Sequence, residues 1–304
     1  MNADMFIGYL GTFAVNMIDT SFFKELDRFS FMVRKRVSTA YSGSRRSILK
    51  GRGMEPVSYR EYTQGDDFKT IDWKVYGRTE KLYVKEFEEE KSLTTHILLD
   101  TSKSMDFRNK FDYAAMLALG FAYLVTKDNE KFGVSTFAEE INITKPKRGR
   151  KYLSQTIDLL NSATLTGKTR FDYCMEKYAS IIKSRSLVFI ISDFMADANA
   201  IKNAIFRLGD NELVLIQVLD PVERKLDLGG EARLIDLETD RKMDIYTRPR
   251  LRSEYEKRLN DHIAKIKETC LQVGADFHTV TTDKPVFDAI FEVVNQREVR
   301  KIKR

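Results

Sequence analysis

From about Thr94 the chain takes on a rhythm that few architectures accommodate: short, nearly continuous apolar runs alternate with stretches of helical spacing. Thr95–Asp100 (THILLD) is apolar on successive residues and ends in a polar loop, as a strand buried on both faces does. Helical text follows over Phe111–Val125. Strands are read at Lys131–Phe137 and Ile141–Thr144, and helices at Tyr152–Leu160 and Asp172–Ile182. Ser186–Phe194 (SLVFIISDF) is the most apolar strand, followed by a helix over Ala198–Leu208 and a strand over Leu213–Leu219. Ser253–Leu271 reads as a long helix, with Ser253 and Glu256 as a capping box and Leu259, Ile263, Ile266 and Cys270 as its apolar stripe. Ala275–Thr279 reads as a late strand, and Pro285 opens a closing helix. Strands and helices in alternation predict a doubly wound, mostly parallel α/β sheet covered on both faces.

Upstream the pattern is different. Asp19–Val37 has the spacing of an amphipathic helix, and a Gly/Ser-containing basic loop follows; seven basic and no acidic residues lie between Arg34 and Arg52. Between Glu55 and Lys91 the text reads as short strands and turns, with Gly65-Asp66-Asp67 as a turn. The expected division is therefore residues 1–92, a helix, basic loop and strand-rich region, and residues 93–304, an α/β domain.

Composition narrows the function classes. The chain has 304 residues, 42% apolar and 32% charged, as an ordinary globular protein does. Cys174 and Cys270 each sit in an apolar helical pattern, which fits buried thiols in a reducing compartment rather than a disulfide framework. His96, His262 and His278 are scattered and pair with no cysteine at zinc spacing. The net charge of +6 is modest, and no zinc finger, GxxG loop or RNP-like pattern accompanies the basic segments. The longest apolar stretch, Met5–Ile18, is too short to span a bilayer and lacks a basic n-region. A cytoplasmic location is expected, with peripheral contact at the inner face of a membrane as the alternative.

Two of the most apolar strands end in an aspartate, Asp100 and Asp193, which a parallel sheet brings to the same rim, where ligands gather at the switch in strand order. Asp100-x-Ser102-x-Ser104 is a compact hard-oxygen cluster, and the hydroxyl of Thr169 approaches from a third loop. Carboxylate and hydroxyl oxygens suit magnesium, with manganese or calcium as alternatives. The expected site is thus one divalent cation held by Asp100, Ser102, Ser104, Thr169 and Asp193. The rival reading of the same residues is ordinary: helix caps and turn formers satisfying loop amides.

These five positions resemble the metal-ion-dependent adhesion site of the von Willebrand factor A fold, whose pattern is Asp-x-Ser-x-Ser, then Thr, then Asp. The resemblance implies direct metal contact by Ser102, Ser104 and Thr169, contact through water by Asp100 and Asp193, and a partner's Glu or Asp completing the coordination. A second stretch, REYTQGDDFKTIDWKVYGRTEKLYVKEFEEEK (Arg60–Lys91) with GRGMEPVSYREY before it, resembles the signature of the bacterial domain-of-unknown-function fifty-eight family. That resemblance covers about residues 19–220. It implies a chaperone-like adaptor that works with a MoxR-type AAA+ ATPase in maturing or assembling a target complex. The Arg60–Lys91 block is read mainly as structure or partner docking, with Ile71 and Trp73 as core anchors and its charges paired across it.

The chain has no Walker A run and no dinucleotide-type glycine fingerprint, so nucleotide binding is not expected of it. The leading expectation is a non-enzymatic, metal-dependent interaction module. The alternatives are a metal-assisted hydrolase or phosphoesterase and a nucleic-acid-binding protein acting through the basic segments.

Overall fold

The computed structural model describes Lys24, Asp27 and residues 58–86, 93–226, 231–235, 242–246 and 249–303. The apolar segment Met5–Ile18, the basic run Arg34–Arg52 and most of the helix expected over Asp19–Val37 lie outside the described residues. The chain divides into two compact units, Met32–Ser92 and Leu93–Arg304 together with Met1–Phe31.

In the smaller unit, β1 (Ser58–Glu61) pairs antiparallel with β2 (Tyr83–Glu86), and α1 (Trp73–Thr79) lies between them in sequence. The helix follows from its cap: the Asp72 side chain accepts from the amides of Lys74 and Val75, satisfying two of the donors a helix start leaves open. Asp67 caps a preceding 3-10 turn, Phe68–Thr70, through the amide of Lys69. Arg60 holds Asp66 through two bonds of 2.7 and 2.8 Å, the fork geometry that makes arginine–carboxylate pairs specific. That guanidinium and the Thr63 amide hold the Asp66 carboxyl well below the usual carboxylate range. Ile71 and Val84 are buried and paired by a bridge. Trp73 corrects the sequence expectation. It is 60% exposed as the first residue of α1, and the buried positions are the two before it, Ile71 and the capping Asp72.

The larger unit contains a six-stranded sheet in the order β10-β7-β6-β3-β4-β5. Its strands are β3 (Thr95–Asp100), β4 (Phe132–Phe137), β5 (Ile141–Asn142), β6 (Leu187–Ser192), β7 (Glu212–Leu219) and β10 (Asp276–Thr281). All neighbours are parallel except β5, which runs antiparallel along the edge beside β4. This is the doubly wound, mostly parallel arrangement anticipated from the alternation of strands and helices. The central strands β3 and β6 are buried at every position, which explains why they read as apolar runs without alternation.

Helices cover both faces. α2 (Lys110–Lys127) packs beside α3 (Arg150–Asn161) and α8 (Val286–Lys303). There Phe121 stacks on Phe189 of β6 at 4.5 Å. α4 (Phe171–Ala179), α5 (Ala198–Leu208) and α7 (Pro249–Val273) pack together in turn. Their buried side chains Cys174, Ile205 and Ile266 form one cluster with Leu98, Ile190 and Leu215 of the sheet. Both cysteines are buried, and neither forms a disulfide.

Beside α1, three elements of the larger unit escape the sequence reading: α6 (Pro221–Lys225), and the separate antiparallel pair β8 (Glu231–Ile235) and β9 (Lys242–Tyr246). α7 also starts earlier than the Ser253/Glu256 pattern implies. Pro249 is its first residue, so Ser253 lies inside the helix and caps nothing. Among the described residues no helix is long and apolar enough to cross a membrane.

Candidate functional site

The chain enters the sheet at β3, moves to β4 on one side, then crosses to β6 on the other. Strand order therefore reverses between β3 and β6, and the crevice beyond their carboxyl ends is where such a sheet places a site. Asp100 closes β3, and Ser192 and Asp193 close β6.

Asp100 is fully buried, and its oxygens are heavily engaged. Ser192 Oγ donates to Oδ2 at 2.6 Å, the Ser102 amide donates to Oδ1 at 2.9 Å, and Thr169 Oγ1 lies 3.2 and 3.3 Å from the two oxygens. Ser102 Oγ and Ser104 Oγ are 3.1 Å apart. Residues two apart can meet in this way because a 3-10 turn, Lys103–Asp106, follows directly on Ser102. The third loop is tied in by its backbone. The Lys103 amide donates to Gly167 O at 3.0 Å and the Thr166 amide to Thr101 O at 3.1 Å, which brings Thr169 over Asp100. Gly167 adopts φ +71°, and a Cβ there would stand 2.7 Å from the Glu139 side chain.

Burial, and secondarily the negative charge of Asp193, push the Asp100 carboxyl up to about 6, against hydrogen bonds from Ser192 and Ser102 that pull it down. Asp193 is itself partnered. Lys110 Nζ donates to Asp193 Oδ2 at 3.0 Å and to Glu223 Oε1 at 2.8 Å, and the Lys110 side chain is wholly buried. Burial would lower the Lys110 ammonium, but the charges and hydrogen bonds of Asp193 and Glu223 outweigh it and hold the pKa above its usual value. Lys110 is the first residue of α2, where the helix dipole disfavours a cation; the two carboxylates supply what the helix end withholds. Glu223 also accepts from the Asp220 amide in the capping box of α6, and Asp220 in turn accepts from Arg108 at 3.2 Å and Thr282 at 3.3 Å.

The turn after β6 is fixed from several sides. Phe194 has φ +53°, uncommon for a large side chain and held only where surroundings over-determine it. Gln217 Nε2 donates to Asp193 O at 2.9 Å, the ring of His262 meets Phe194 O at 2.7 Å, and the Met195 amide donates to Asp193 Oδ1 at 3.1 Å. Beyond this rigid base the outer rim is open: Ser104 and Thr169 are half-buried and Met195 is exposed.

The structure thus gathers Asp100, Ser102, Ser104 and Thr169 into one hydrogen-bonded cluster, with Asp193 close enough for its charge to act on Asp100. The expectation of one divalent cation is corrected. Among the described residues no group of three or more His, Cys, Asp or Glu comes together that could hold a metal ion. The two acids present are occupied, Asp100 by hydroxyls and an amide and Asp193 by the Lys110 ammonium. The expectation that a partner's Glu or Asp completes a metal's coordination falls with it. Lys110 and Ser192 went unnoticed in the sequence. A lysine opening an otherwise apolar helix was the available signal for the first; for the second, only its place before Asp193.

Residues 58–265 match the family described as "Protein of unknown function DUF58". The chain belongs to this family. Among its relatives, "Uncharacterized protein Rv1480" of Mycobacterium tuberculosis is 26% identical over 274 residues, covering 87% of this chain and 86% of the relative. "Uncharacterized protein YeaD" of Bacillus subtilis is 25% identical over 153 residues, 47% of this chain and 37% of that one. Among solved structures, the conserved hypothetical protein BatB from Bacteroides thetaiotaomicron is similar with a TM-score of 0.42 and 16% identity, over 67% of this chain and 98% of that chain. The matched DUF58 region takes in both the Arg60–Lys91 block and the strand-end cluster.

Proposed function

We propose that this DUF58-family chain is a non-enzymatic protein-interaction module that contacts its partner through the carboxyl rim of the α/β sheet. In this reading Asp100, Ser102, Ser104, Thr169 and Asp193 organise the contact surface. One observation carries it: hydroxyls from two loops converge on a buried carboxyl at the switch point, with Ser104 and Thr169 reaching the outer edge. The inner groups bond one another and hold the loops, and Ser104, Thr169 and Met195 are left to meet a partner. Buried, mutually satisfied polar groups of this kind give a rigid platform, and a rigid platform keeps the ordering cost of association low.

The partner proposed is a MoxR-type AAA+ ATPase, with the mechanical work in assembly or maturation of a target complex done by the ATPase. The resemblance of the Arg60–Lys91 block supports this pairing. The test is binding of the full chain to the MoxR-type ATPase encoded in the same genome, measured with wild type and with Ser104→Arg and Thr169→Arg. Both substitutions lie at the edge and leave the buried carboxyl in place. Loss of binding in both, with Arg185→Glu at the opposite end of β6 unaffected, supports the proposal. Unchanged binding in both refutes the rim as the contact.

A further inference from the structure

The residues of the Arg60–Lys91 block separate into those consumed by the fold and those left over. Between residues 60 and 80 four of the five carboxylates are consumed: Asp66 by Arg60, Glu61 by Lys81 at 3.8 Å, Asp67 and Asp72 by the backbone amides they cap. Ile71 and Val84 form the buried contact. What remains outward is aromatic and basic. Trp73 is 60% and Phe68 64% exposed, and Tyr76 is also exposed, its ring meeting that of Trp73 edge-on at 6.0 Å. Lys69, Lys74 and Arg78 are exposed and draw no carboxylate among the described residues; between residues 60 and 80 the one acid left beside them is Glu80.

The helix geometry groups these residues. On α1, Trp73, Tyr76 and Gly77 follow the spacing of one face, and Lys74 and Arg78, four apart, run along its flank. A Cβ on Gly77 would meet nothing within 4 Å, so the face stays open between the aromatic pair and the cations. Phe68 and Lys69 present the same two chemistries on the preceding turn. Exposed tryptophan and tyrosine beside an arginine are the composition of an interface centre, and the two lysines fit its charged rim.

We propose that this aromatic and basic face of the 58–86 region is a docking surface for an acidic, apolar segment of a partner protein. It stands independently of the strand-end rim. The excess of unpaired cations over Glu80 calls for carboxylates on the occupant, and the Trp73–Tyr76 pair calls for apolar or aromatic side chains between them. Nucleic acid fits less well, since three unpaired cations neutralise little of a phosphate backbone and edge-on rings offer no stacking platform. An anionic membrane would call for a denser basic cluster.

Trp73 is the sole tryptophan of the chain and reports directly on its own face. The experiment follows its emission and acrylamide quenching in the full-length protein as short synthetic peptides are added. One peptide alternates Glu with Leu and Phe, a second carries Lys for Glu, and a third carries Ser for the apolar residues. The expected result is that Trp73 is readily quenched in the free protein. The acidic apolar peptide then shifts its emission to the blue and protects it, with an affinity that weakens as salt is raised. Phe68→Ser weakens that binding by at least about tenfold, and Lys74→Glu/Arg78→Glu reverses the preference toward the Lys peptide. These side chains are exposed, so circular dichroism of the variants should match wild type. Poor quenching of free Trp73, equal response to all three peptides, or preferential protection by single-stranded RNA or by phosphatidylserine vesicles overturns the proposal.

Discussion

At the residue scale, the defining group is a carboxyl that the fold prefers to keep protonated. Asp100 has a folded-state pKa raised toward 6, so the stabilisation it provides is complete below its unfolded value of about 4 and is lost as pH rises through the folded value. Between those limits the penalty grows to roughly 2–3 kcal/mol if the whole shift reaches stability. Asp100→Asn should remove this step: chemical denaturation of the variant should show a flatter stability profile between pH 4 and 7, and a smaller deficit, or an advantage, at neutral pH. A wild-type profile that rises through that window would contradict this account. Lys110 makes the complementary prediction. Lys110→Met leaves Asp193 and Glu223 facing each other in a buried site without their cation and should cost roughly 3–5 kcal/mol. Lys110→Met/Asp193→Asn should cost less than the sum of the single changes, and a double-mutant cycle by urea unfolding reads the difference. Additivity would mean that the two groups do not interact as their 3.0 Å separation requires.

At the scale of elements, the site depends on a loop that belongs to no regular structure. Thr169 reaches Asp100 because the Lys103 amide and the Thr166 amide pin residues 166 and 167 to the loop after β3. Gly167 makes the bend at φ +71°, a conformation L side chains rarely adopt. Gly167→Ala should cost about 1 kcal/mol, since the flexible Glu139 side chain can move aside but the backbone strain remains. Hydrogen exchange at the Lys103 amide should accelerate with it, while exchange in β3 and β6 stays at wild-type protection. The central strands were legible in the sequence because burial on both faces writes an unbroken apolar run, and their terminal aspartates marked the rim. The helices of the larger unit, the five-residue α6 apart, were equally legible from spacing. α1 was not, because its start is marked by one capping residue, Asp72, and only seven residues follow. β8 and β9 were missed for a related reason: they pair with each other and not with the six-stranded sheet, so neither carries the apolar run that marks the sheet's strands.

At the scale of the whole molecule, the two units present two different chemistries. The larger unit offers hydroxyls on a rigid, internally neutralised base; the smaller offers aromatic rings and cations. Sequence pattern found the first because an Asp-x-Ser-x-Ser run is compact. It could not find Lys110, which lies a turn further along the chain and reaches the site only through the fold. That lysine changes the reading of the cluster, since the charge balance assigned to a bound cation is met at Asp193 by a side chain of the protein itself. Binding of the partner should accordingly be unaffected by EDTA, as a chelator titration of the assembled complex would show.

The most direct test of the central claim is hydrogen–deuterium exchange of the full chain, alone and saturated with the MoxR-type ATPase. The account predicts new protection at residues 101–109, 165–170 and 193–197, the three loops that form the carboxyl rim. Protection confined to the amino ends of β6 and β7, around residues 185–187 and 210–213, with the rim unchanged, would contradict it.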